Sequence, residues 1–152
     1  MNRLLEKQLG DDAEYVVKEF FAQKGYEFIL SENKYDDKKD AILIANNEQY
    51  QVEIKLETRY KKFNSFTIPI EYSNQLSKCA NVDMLIFCQR PTQDDPTFKI
   101  YQAPPVGQRF FEIKQNEIDK RHVAHFFIGK MKLIGKITNK EIIEKYMVRK
   151  AY

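Results

Sequence analysis

The stretch YQVEIKLE, residues 50 to 57, alternates apolar and polar positions cleanly, yet it places Glu53 and Lys55 on one face, two residues apart. In an extended strand those two Cα atoms stand ~7 Å apart with side chains on the same side, while Val52, Ile54 and Leu56 face the other way. Upstream, Asp40 directly precedes the apolar run AILIA (41 to 45), and Asn46 and Asn47 supply a turn between the two runs. Paired as a hairpin, the runs put Asp40 opposite roughly position 53 to 55. Two ionised carboxylates at 4 Å repel by ~4 kcal/mol at an effective dielectric near 20, so either one takes a proton or a cation sits between them. Hard oxygen donors from Asp40 and Glu53, with the main-chain carbonyl of Ile54 and water or phosphate completing the shell, suit Mg²⁺ or Mn²⁺. Lys55 would then orient a water or neutralise charge growing on a phosphate oxygen. The chemistry this implies is metal-assisted hydrolysis of a phosphodiester.

The elements that must position these residues follow from apolar periodicity. Leu5, Leu9, Ala13, Val16, Val17, Phe20 and Phe21 recur at spacings of three and four and predict a helix over 3 to 24, ended by Gly25. A first strand is expected over 26 to 30. The run 41 to 45 is apolar on both faces, as an interior strand requires. A strand over 66 to 72 would point Ile68, Ile70 and Tyr72 inward, and Pro69 confines it to an edge or a bulge. A short helix near 74 to 80 and strands over 84 to 88 and 98 to 103 follow, with the last halted by Pro104 and Pro105. Residues 106 to 135 show no decisive period. Thr138 and Glu141 have the spacing of a capping box at the start of a final helix. The sum is an α/β or α+β domain, a mixed central sheet flanked by helices.

At 152 residues, with 43% hydrophobic and 31% charged residues, the chain has the size of one domain with one core. No apolar run approaches the ~18 residues of a membrane span. No export signal is read at the N-terminus, so a soluble, cytoplasmic protein is expected. Cys79 and Cys88 form no CxxC pair and read as reduced core thiols. No GxxxxGK[ST] or GxGxxG occurs, so no nucleotide cofactor is expected. Net charge is only +3, from 25 basic and 22 acidic residues. Basic and aromatic residues nevertheless interleave in RYKKF (59 to 63), and Arg59, Lys61 and Lys62 are the candidates for contact with a nucleic-acid backbone.

An amphipathic helix, a strand, a strand opened by aspartate, a turn and a strand carrying Glu-x-Lys together resemble the PD-(D/E)xK nuclease superfamily. This is the fold of restriction endonucleases and of several phage and archaeal junction resolvases. The resemblance covers residues about 10 to 103. It implies a restriction-endonuclease-like fold, DNA as partner, Mg²⁺ on Asp40 and Glu53, and Lys55 assisting the water. A small resolvase-like or phage-type endonuclease, acting as a homodimer on Holliday junctions, is the subclass expected. Glu14 matches the helix glutamate of the resolvase-like branches, although Asp11 and Glu14 also have the spacing of a helix N-cap pair. Glu71 and Gln75 resemble acidic or amide residues that some branches place on the next strand and helix. The residue before Asp40 is Lys39 rather than proline, which leaves Asp36 and Asp37 as rivals. Asp40 alone directly precedes the apolar strand.

Glu-x-Lys recurs at Glu112, Ile113 and Lys114, where no hairpin is expected and the nearest upstream acidic pair, Asp94 and Asp95, is separated by a strand and the Pro104 and Pro105 break. For the first copy the alternative is a surface ion pair on an exposed strand face, worth ~0 to 1 kcal/mol. His122 and His125 read as neighbours on one helical face with a structural or nucleic-acid-facing role. Ser65, Ser73 and Ser77 lack the context of a nucleophile. Two other function classes remain open: a nucleic-acid-binding module without catalysis, and a protein-interaction domain whose charged hairpin face is merely hydrated.

Overall fold

The computed structural model describes residues 3–31, 40–70, 79, 81–91, 97–104 and 111–138, with the backbone alone over 3–12. The apolar stripe of the N-terminal segment forms α1 (Arg3–Gln23). Ala13, Val16, Val17, Phe20 and Phe21 are all buried along it, as the three- and four-residue spacing requires. Gly25, at φ 85°, ends the helix. Its N–H donates to the Ala22 carbonyl at 3.0 Å, and the Tyr26 N–H donates to the Phe21 carbonyl at 3.1 Å. These are the two bonds of a Schellman cap, which needs a residue at ease in the left-handed region.

Strands follow as β1 (Glu27–Leu30), β2 (Ala41–Ala45), β3 (Glu48–Glu57), β4 (Ser65–Pro69), β5 (Met84–Gln89), β6 (Phe98–Gln102), β7 (Phe111–Gln115), β8 (His122–Phe127) and β9 (Lys132–Ile137). A 3-10 turn, Ile128–Lys130, separates β8 from β9. Six of these strands form a mixed sheet in the order β1-β2-β3-β5-β6-β9. Within it β3 and β5 run parallel and the other neighbours antiparallel. The remaining three form a smaller antiparallel sheet, β4-β8-β7.

The core lies in two slabs, one on each side of the large sheet. On one side α1 packs on Val52, Ile54, Ile86, Cys88 and Ile100. On the other, the small sheet packs on Leu85 and Phe87 through Phe66, Ile68, Ala124 and Phe126. Phe66 stacks on Phe87 at 5.0 Å, and Phe87 meets Phe126 at 5.2 Å. The fold is therefore α+β around a mixed central sheet. One face carries the expected helix, and the other carries, among the described residues, a second sheet together with the helical residue Cys79. The expected helices near 74 to 80 and after 138 lie outside the described residues, Cys79 and Thr138 apart.

Pro69 does sit at an edge, since β4 pairs with β8 alone. The region without a decisive period holds β7, β8 and β9. β7 exposes Glu112 and Ile113 in succession, so it carries no alternation to read. β9 reaches the edge of the large sheet at Gly135, where an added Cβ would collide with the Phe20 ring of α1. Helix and strand approach too closely there for any side chain. Gly135→Ala is expected to cost ~1–3 kcal/mol by overpacking, read as a lowered urea midpoint with an unchanged slope.

Candidate active site

The hairpin that builds the site is closed by two residues in the left-handed region, Asn46 (φ 53°) and Asn47 (φ 65°), with Ala45 paired to Glu48. Two positive φ angles in a two-residue loop give a type I′ turn, whose twist matches the strands. Asparagine tolerates this conformation better than other residues with a Cβ. The turn fixes register, and register fixes which side chains meet. Ala41 pairs with Val52, and the Asp40 N–H donates to the Val52 carbonyl at 2.9 Å, so Asp40 comes abreast of Glu53. Its carboxylate turns in to β3, where Oδ2 accepts the Ile54 N–H at 2.9 Å. One amide does not exhaust a carboxylate, which has about four lone-pair positions.

On the other flank Glu53 pairs with Leu85 and Lys55 with Phe87. Glu53 and Lys55 therefore leave β3 on the side facing the small sheet, while Val52 and Ile54 belong to the slab under α1. Glu53 is 1% exposed and Lys55 13%, with Lys55 Nζ 4.0 Å from Glu53 Oε1. Burying an ionised carboxylate costs several kcal/mol. A full positive charge at that distance returns ~4 kcal/mol at an effective dielectric of 20. The nearby Cys79 thiol responds to the whole cluster. Burial pushes its pKa up to about 12, Lys55 pulls it down, and Glu53, Asp40 and Glu57 push it further up. Both cysteines are free and buried, and burial also raises Cys88, so both are unreactive thiols as read from the sequence.

The second Glu-x-Lys is a control within the same molecule. It lies on β7, which does form a hairpin, with β8, but Glu112 faces His125 and Lys114 faces Val123. No carboxylate stands opposite. Its ion pair is shorter, 3.3 Å, with Lys114 35% and Glu112 59% exposed. The same tripeptide is solvated there and desolvated on β3.

Asp40, Glu53, Ile54 and Lys55 are thus brought together. Glu14 is half-buried on α1, in the layer on the opposite side of β3 from the Glu53 and Lys55 side chains. It cannot be a helix cap with Asp11, because α1 begins eight residues before Asp11, at Arg3. Asp36, Asp37, Glu71 and Gln75 lie outside the described residues. Arg59, Lys61 and Lys62 are exposed on the connection between β3 and β4. Among the described residues no group of three or more His, Cys, Asp and Glu side chains is placed to hold a metal ion, so of the described carboxylates Asp40 and Glu53 would hold a cation here. Mg²⁺ commonly binds through one or two, with water and substrate phosphate supplying the rest.

His122 and His125 are strand residues, not helical neighbours. Three positions apart on β8 they take opposite faces, His122 exposed and His125 buried. Ser65 Oγ lies 2.9 Å from His125 Nδ1. Ser65 is fully buried, so this contact is structural. Sequence spacing gave no sign of the company His125 keeps, where Lys114 from β7 is drawn over the ring of Phe63 at 4.9 Å.

No protein-family model and no curated protein matches the chain. Among solved structures it is similar to a bacterial homing endonuclease, I-Ssp6803I, with 10% identity and a TM-score of 0.49 over 95% of this chain and 94% of that one. Among the described residues no helix is long and apolar enough to cross a membrane.

Two outcomes follow from the electrostatics. A double-mutant cycle with Glu53→Gln and Lys55→Met is expected to show ~1–3 kcal/mol of coupling in chemical denaturation. The same cycle at Glu112 and Lys114 should give ~0–1 kcal/mol. His125 titrates below its usual 6.5, chiefly through burial, with Lys114 pushing the same way and Glu112 opposing. The unfolded chain therefore binds a proton below pH 6.5 that the folded chain resists. This contribution to stability is complete above that pH and is lost as pH falls through the folded value. Urea midpoints measured from about pH 7 to about pH 5 should drop less steeply in His125→Asn than in the wild type.

Proposed function

We propose that the protein is a metal-dependent deoxyribonuclease that hydrolyses DNA phosphodiester bonds, a structure-selective endonuclease such as a Holliday junction resolvase. The observation that carries this reading is the convergence of Asp40 and Glu53 from adjacent strands, with the Lys55 ammonium 4.0 Å from a buried Glu53 carboxylate. A solvated surface ion pair has no reason to bear the cost of burying its acid, whereas a site that must gather positive charge has one.

Both acidic donors are hard oxygens, the chemistry of Mg²⁺ or Mn²⁺. Asp40 and Glu53 would hold the ion, with the Ile54 carbonyl as a further donor. When bound it would supply positive charge that polarises the phosphoryl group and favours attack by water. The remaining work falls to this chain. The Ile54 amide fixes the Asp40 carboxylate, the core around Val52 and Ile54 holds β3 rigid, and Lys55 stabilises charge growing on a non-bridging oxygen. A homodimer suits the paired cuts a junction requires, and the cytoplasm is the proposed location.

A second reading, a DNA-binding module without catalysis, is favoured by the cationic aromatic patch of Tyr60, Lys62, Phe63 and Lys114. One assay separates the two. Supercoiled, linear and four-way-junction DNA are incubated with Mg²⁺ or EDTA, using wild type, Asp40→Asn and Lys55→Ala proteins whose folding is checked by circular dichroism. The nuclease reading expects cleavage that EDTA abolishes and that Lys55→Ala slows by ~10²–10³. Salt-sensitive binding without cleavage supports the module, and neither cleavage nor binding supports a protein-interaction domain.

A further inference from the structure

The outer face of the small sheet carries a groove that the phosphodiester site does not use. Alternation along β4, β8 and β7 sends Phe66, Ile68, Ala124 and Phe126 inward, and Thr67, His125, Glu112 and Lys114 outward. The segment between β3 and β4 folds back over this outer face, and the Tyr60–Ser65 bridge holds it there. Tyr60 and Phe63 stack at 5.8 Å with their planes 25° apart. Both meet His125 edge-on, at 5.6 and 5.2 Å. The 2.9 Å contact between Ser65 Oγ and His125 Nδ1 locks that imidazole from beneath. The aromatic wall is therefore held in place before any ligand arrives.

Two ammonium groups converge on the same wall. Lys62 Nζ stands 5.3 Å and Lys114 Nζ 4.9 Å from the Phe63 ring centroid, both within cation–π range. The cavity between the wall and the β7–β8 turn measures about 590 Å³, within the ~300–1,000 Å³ of sites that take a small organic molecule. Tyr60 is 44% exposed, so its ring can still be covered.

We propose that this groove binds an unpaired nucleotide of a DNA strand, its base stacked on Tyr60 and its phosphates against Lys62 and Lys114. An aromatic face beside paired cations matches a base with its own phosphate, and bases in an intact duplex present no face to stack on. Tyr60 follows Lys55 by five residues, so their Cα atoms are at most ~18 Å apart. That is about five base-pair steps at 3.4 Å each, so the groove and the Asp40, Glu53 and Lys55 cluster lie within the length of one short strand. The inference rests on the DNA reading above but not on catalysis. It assigns the preference for branched or frayed DNA to the outer face of the small sheet.

The test is binding in EDTA by the full chain. An oligodeoxynucleotide carrying 2-aminopurine is titrated single-stranded and then annealed to its complement, with fluorescence quenching and anisotropy as readouts. The wild type is expected to quench the single strand and bind it more tightly than the duplex. Tyr60→Ala should weaken single-strand binding by about tenfold or more and abolish quenching, with Tyr60→Phe retaining both. Lys62→Gln and Lys114→Gln, each on the surface, should each lower the salt slope of single-strand binding by ~0.7. Equal affinity for single strand and duplex, or binding unchanged in Tyr60→Ala and both lysine variants, would overturn the proposal. Because Mg²⁺ is absent, failure of the cleavage assay leaves this result unaffected, and cleavage of duplex with no quenching of the single strand removes the groove alone.

Discussion

A carboxylate shut away from water between two sheets has to be matched by positive charge, and Glu53 is placed in that position with Lys55 beside it. The pair is loose, at 4.0 Å, which is ion-pair rather than hydrogen-bond distance. In a low dielectric, charges at that separation still interact strongly with one another. Everything else near the site serves to keep that charge where it is. The Asn46–Asn47 turn sets the register, Asp40 is tied to the Ile54 amide, and the α1 slab holds the apolar face of β3.

The second Glu-x-Lys shows that residue identity is not what distinguishes the site. On β7 the same three residues make a shorter ion pair and face no carboxylate, because their strand borders solvent on its outer side and pairs with a neutral face of β8. Motif and chemistry separate once burial is known. On β3 desolvation turns a lysine and a glutamate into a charged cluster that even the Cys79 thiol registers. On β7 water screens them, and Lys114 is instead available to the Phe63 ring.

The small sheet joins the two regions. Its inner face, Phe66 and Phe126 against Phe87, closes the second core slab and covers the side of β3 from which Glu53 projects. Its outer face presents the aromatic groove. One three-stranded element thus covers the Glu53 and Lys55 cluster on one side and presents a cationic aromatic groove on the other. The short link from Lys55 to Tyr60 keeps the two regions close along the chain.

Local patterning alone determined α1 and its glycine stop, β2 and its place inside a sheet, the asparagine turn, and the shared face of Glu53 and Lys55. Each of these depends on neighbours a few residues away, where period and backbone preference act directly. The residues also placed Asp40 opposite roughly position 53 to 55, because a short turn leaves little freedom of register, and the structure sets it abreast of Glu53. What tertiary structure decided was burial and long-range company. It showed that the far layer is a second sheet, that His125 lies on a strand among Tyr60, Phe63 and Ser65, and that Lys114 folds over Phe63. It also decided that, of the Glu-x-Lys copies on β3 and β7, the one on β3 is desolvated. Those properties come from segments far apart in the chain meeting in space, and the free energy of a charge depends on what surrounds it there rather than on what adjoins it in the chain.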